Sequence, residues 1–144
     1  MRVRTAALLL LPLAVAAGGT ASALPGIPRD VQPYRSWTKL NSKPIPPRAN
    51  DPHRSTKNVY ASRLPRNGRY PIGAIVVKEG RNSGYVSLIA IMRKTRAAAN
   101  NGWVMIEWTR PSPRASFTQL ARGSVCTGCH MQARRTDYVF TRRR

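Results

Sequence analysis

The chain has 144 residues and a formal net charge of +20, with 25 lysines and arginines against five acidic residues. That length suits one small domain with a modest core. The charge favours anionic partners such as an acidic redox protein. The basic residues are scattered apart from the terminal "TRRR", so nucleic-acid binding is not expected.

Residues 1–23 read as a secretory signal peptide. Arg2 and Arg4 give a positive start, "AALLLLPLAVAA" is an apolar run, and Ala21-Ser22-Ala23 is a small-residue cleavage pattern. A membrane span needs about 20 apolar residues, and this run is shorter and holds Pro12. Cleavage after Ala23 would remove 23 of the 144 residues, leaving 121, and would take two arginines from the +20, leaving +18. No later segment is a membrane-span candidate, and the expected compartment is a periplasm.

Residues 24–56 carry seven of the twelve prolines, including "KPIPP". Such density excludes a long helix or a central strand. This part reads as an extended wrapping arm, with a short helix through "DVQPYRSWTKL" and Pro33 near its start. The remainder, 57–144, reads as one domain. "KNVYAS" is a short strand, "YPIGAIVVKEG" a second with Ile75, Val76 and Val77 at its heart, and "RNSG" a turn. "YVSLIAIMRK" is apolar on both alternating faces, which predicts a buried central strand. "NNG" turns the chain into "WVMIEWTR", completing an antiparallel meander. "RASFTQLARG" is expected to form a helix ending at Gly123. The fold class is therefore α+β: mainly antiparallel sheet with a few short helices, the C-terminal one carrying the cysteines.

Both cysteines lie in "GSVCTGCHMQ", as Cys126 and Cys129, with His130 behind them. A disulfide across two residues would close a tiny loop and constrain the unfolded chain little. A redox pair wants a strand–helix setting absent from this pattern. Structural zinc needs four ligands, and the other histidine, His53, lies far off in the arm. C-x-x-C-H is the attachment motif of a c-type haem. On one helical turn these positions share a face, so two thioethers can hold the porphyrin edge while His130 reaches the iron. One haem c per chain is the expected cofactor.

"VY" at 59–60, "YPIGAIVVKE" at 70–79, "MRK" at 92–94, Trp103, the C-x-x-C-H of 126–130 and "DYVFT" at 137–141 occur in that order. Together they resemble the cytochrome P-460 family and its cytochrome c′-beta relatives, from about Tyr34 to Thr141. The resemblance implies an antiparallel sheet dimer with one five-coordinate c-type haem per chain, its distal side open to small nitrogen ligands. It also implies a lysine at the position of Lys78 cross-linked to the haem in the hydroxylamine-oxidising members. The c′-beta relatives lack that link and bind nitric oxide. Two features depart from the family pattern: Lys57 stands where the compared enzyme has an arginine, and the hairpin tip "GRNSG" is short.

Lys78 shares a strand face with Val76 and Ala74, and Glu79 shares the other with Val77. Lys57, Tyr60 and Phe140 are candidate haem-pocket residues. Met92 and Met105 are candidate sixth ligands, as in an electron-transfer cytochrome, with core packing the plainer reading. Glu107 is a candidate distal proton acceptor or a rim carboxylate paired with an arginine. His53 is expected to face solvent. Three functions remain open at this point: hydroxylamine oxidation, nitric-oxide binding without turnover, and electron transfer to an acidic partner.

Overall fold

The computed structural model describes residues 24–96 and 99–143, so the signal-peptide reading of 1–23 lies outside the described residues. Six strands form one antiparallel sheet in sequential order: β1 Thr38–Lys39, β2 Thr56–Ala61, β3 Ile75–Asn82, β4 Tyr85–Lys94, β5 Trp103–Thr109 and β6 Thr118–Arg122. This is the expected meander, and β4, the longest strand, lies at its centre. Hairpin geometry follows the turn residues. Ser83 and Gly84 take positive φ between β3 and β4, as do Asn101 and Gly102 ahead of β5, where asparagine and glycine meet least steric cost. The latter pair closes a single helical turn, α1 Ala99–Gly102. Among the described residues no helix is long and apolar enough to cross a membrane.

Residues paired directly across neighbouring strands share a face. One face carries the row Ala61, Val76, Met92 and Met105, and beside it the row Val59, Lys78, Ala90, Glu107 and Ala121. The other face carries Val77, Ile89 and Ile91, each at most 2% exposed. The N-terminal arm covers this second face with Leu24, Ile27, Val31 and Tyr34. Gly26, at φ +89°, is pressed so closely on the Phe117 backbone that a Cβ there would collide with it.

Glu79 points into the arm-covered side and is 1% exposed. Its carboxylate accepts from the Tyr34 hydroxyl, from Arg35 Nε at 2.9 Å and from Arg81 Nε at 2.7 Å. Burial raises its pKa, but these three donors outweigh that and hold it below the usual carboxylate range. The same carboxylate and burial push the Tyr34 phenol well above its usual range.

Two expectations are corrected. Residues 118–122 of "RASFTQLARG" form strand β6, not a helix; pairing with the open edge of β5 outweighs the local helical preference. The helix expected through "DVQPYRSWTKL" is a 3-10 helix, Arg29–Ser36, with Pro33 well inside it. Proline's missing N–H and fixed φ suit short, tight turns better than a continuing α-helix.

Candidate haem site

Strand β6 ends at Arg122, and Gly123, at φ +64°, turns the chain into α2, Ser124–His130. A second 3-10 helix, Met131–Thr136, follows directly. The expected C-terminal helix with both cysteines is therefore present. Cys126 and Cys129 are free thiols, and both line a cleft between α2 and the first sheet face. Burial pushes the Cys126 thiol above its usual range, aided by the Glu107 carboxylate.

The cleft has an inner lobe of about 110 Å³ floored by Val76, Met92 and Met105. It continues into an outer lobe of about 650 Å³ toward the arm residues Asn41, Lys43 and Arg48. The outer lobe alone falls in the range of about 300–1,000 Å³ typical of ligand pockets. Met92 and Met105 belong to the buried core of this face, at 6% and 3% exposure.

His130 lines both lobes. Its Nδ1 lies 2.7 Å from the Tyr138 carbonyl. A carbonyl only accepts, so Nδ1 carries the proton and donates it, leaving Nε2 with its lone pair. Burial pushes the imidazole below its usual pKa, opposed by that hydrogen bond. The ring is thus a neutral donor. Phe140 meets it edge-on, with centroids 5.2 Å apart, and lines the cleft, although half of its surface faces solvent.

On the sheet side, Lys78 and Glu107 flank the small Ala90 in one cross-strand row. Their backbones are two strand spacings apart, about 10 Å. His53 bridges them. Lys78 Nζ donates to His53 Nδ1 at 3.0 Å, and His53 Nε2 donates to Glu107 Oε2 at 2.6 Å. The loop is held in place by Asp51 Oδ1, which accepts from the His53 N–H at 2.9 Å. Lys57 Nζ donates to Asp51 Oδ2 at 2.6 Å and to the His53 carbonyl at 3.0 Å. Burial pushes the Lys78 ammonium below its ordinary pKa, and the Asp51 and Glu107 carboxylates only partly oppose this.

His53 is therefore not solvent-facing; its side chain is 13% exposed. Asp51-Pro52 ahead of it is the local signal of a fixed turn, but its partner Glu107 lies 54 residues away. Glu107 itself pairs with this histidine and not with an arginine. Lys57 is buried at 3% and lines the outer lobe. Tyr60 does not: it stacks edge-on with Tyr34 on the arm-covered face, centroids 5.3 Å apart. With Lys57 and Val59 turned toward the cleft, the period of two sends Tyr60 the other way.

The donor set fits a haem. Two free thiols share the short helix α2 with a neutral imidazole whose Nε2 is available, beside an apolar floor of Val76, Met92 and Met105. Fold and site together define a sheet protein built around a haem. The cytochrome P460 family matches residues 31–141, and the chain belongs to that family. Membership makes it a haem protein. No curated protein matches the chain.

Proposed function

We propose that this is an exported, periplasmic mono-haem c protein that oxidises small nitrogen compounds, hydroxylamine foremost, at an open iron site. In this reading residues 1–23 direct export, and Cys126 and Cys129 form thioethers to the haem. His130 Nε2 is the axial ligand. The haem supplies the redox chemistry and the metal site for the nitrogen ligand. Lys78, His53 and Glu107 face the same cleft and supply the polar groups that chemistry needs. Exposed apolar side chains such as Leu120 and Val125 offer surface for a homodimer.

The observation that carries the reading is the His53–Glu107 pair in the cleft shared with His130. Oxidising hydroxylamine releases protons together with electrons. His53 can pass a proton from its Nδ1 side to Glu107 Oε2 through its own Nε2–H, and the carboxylate is the terminal acceptor. A passive binder needs no such acceptor. A second reading, nitric-oxide binding without turnover, is favoured by one observation. Lys78 Nζ is engaged by His53, the arrangement of a lysine that keeps its amine. Electron transfer through a methionine ligand has less support, since Met92 and Met105 are spent on core packing.

Hydroxylamine-dependent reduction of an artificial electron acceptor tests the choice. Wild type is expected to turn over with a five-coordinate high-spin spectrum. Glu107→Gln is expected to lose about 10²–10⁴-fold, the usual contribution of a positioned proton acceptor, while retaining haem and nitric-oxide binding. No turnover by wild type, with nitric oxide still bound, returns the protein to the binder reading.

A further inference from the structure

Two charged residues have no part in the chemistry above: Lys94 of "MRK" at the end of β4 and Asp137 of "DYVFT" after the second 3-10 helix. The fold brings them together. Lys94 Nζ donates to Asp137 Oδ1 at 2.7 Å and Oδ2 at 2.9 Å, and both residues are buried, at 7% and 3%. The carboxylate also accepts from Asn101 Nδ2 at 2.7 Å and from the Tyr70 N–H at 2.8 Å. Lys94 is equally committed: it donates to the Asn101 carbonyl at 2.6 Å and sits 4.9 Å from the Trp103 ring centroid.

A buried ion pair is weak evidence for stability, because apolar residues of similar size often serve as well. Its value here lies in what it holds. Asp137 and Tyr138 are consecutive non-glycine residues at φ +52° and +67°. The left-handed region is disfavoured for residues that carry a side chain, so two in a row persist only when their surroundings over-determine them. The Asp137 side chain is the anchor of that turn. The very next residue offers the carbonyl that takes the His130 Nδ1 proton.

We propose that Lys94 and Asp137 are positioning residues for His130. The ion pair pins the left-handed turn, the turn aims the Tyr138 carbonyl, and the carbonyl sets the orientation and basicity of the imidazole. Partners of this kind fix a ligating histidine's tautomer and tune the metal behind it. The proposal rests on His130 being the axial ligand, as argued above.

The test uses the haem-loaded full-length product as secreted, and reads the ferrous iron–histidine stretching band and the reduction potential. Asp137→Asn keeps a residue that tolerates the left-handed turn but removes the charge. It is expected to lower the stretching frequency and move the potential positive, because a weaker Nδ1–H···O=C bond makes a less electron-rich ligand. Asp137→Ala should shift both further in the same directions. Ile89→Val, on the opposite sheet face, is a control that trims the core without touching the turn, and it should leave both readouts unchanged. If Asp137→Ala does not fold, Lys94→Met combined with Asp137→Asn removes the orphaned charge and should still show the shift. A normal band and potential in folded Asp137→Asn would overturn the positioning role alone. No iron–histidine band in wild type would overturn the ligation reading, and the positioning role with it.

Discussion

The Lys78 amine is the side chain on which the two nitrogen chemistries divide. It is half-buried at the floor of the cleft, and burial favours its neutral form. A neutral amine is a nucleophile, so the lysine can either stay as a hydrogen-bond donor to His53 or, given a two-electron oxidant of the peroxide class, exchange an N–H and a porphyrin C–H for an N–C bond, the oxidant taking up the two electrons and both protons. Lys78→Leu is expected to keep thioether-bound haem and nitric-oxide binding while losing hydroxylamine oxidation and any displacement of the Soret band. Digestion of wild type should yield the Lys78 peptide tied to the Cys126–Cys129 peptide. A free Lys78 peptide, with one spectrum shared by wild type and variant, would assign the protein to the binders. At this scale the sequence was legible where residues are close along the chain. Cys126, Cys129 and His130 share one turn, and their grouping follows from spacing. His53 was hidden because its ring partners Lys78 and Glu107 come from β3 and β5, and no local pattern announces a meeting across 54 residues. Tyr60 is a candidate for the cleft by chemical type alone, and the strand parity that Lys57 sets turns it to the other face.

Among the elements, the long apolar strands β3, β4 and β5 were readable because both their faces are covered, one by the cleft and α2, the other by the arm. Strand β6 was not. Most of its residues are exposed, so its pattern carries no burial signal and its identity comes from the partner strand. The arm's docking was equally silent, since proline density says what cannot form and not where the chain lies. Glu79 is the polar joint of that docking. Its folded pKa lies below the unfolded value, so the joint's stability is present above the ordinary carboxylate range and fades as pH falls through the folded pKa. Glu79→Gln is expected to cost about 1.5–3 kcal/mol near neutrality, the worth of hydrogen bonds to a charged group. Its thermal midpoint should also fall less steeply than that of wild type as pH drops below about 5. Parallel curves for the two proteins would show that the Arg35 and Arg81 contacts, both with about 40% of their side chains exposed, contribute little.

For the whole molecule, the charge of +20 is the feature that no single site explains. A basic surface steers an acidic redox partner toward encounter, and salt screens that steering with a Debye length of about 10 Å at 0.1 M. Electron transfer to an acidic cytochrome is expected to slow as ionic strength rises. A rate independent of salt would reduce the arginine excess to compositional bias.

Whether Cys126 and Cys129 hold one haem covalently is decided by the intact mass of the exported protein after acid–acetone extraction. The expected mass is that of a polypeptide beginning at Leu24 plus one haem, with the haem lost on changing Cys126 and Cys129 to alanine. A polypeptide of that length without the added mass, its haem recovered in the acetone, would contradict it.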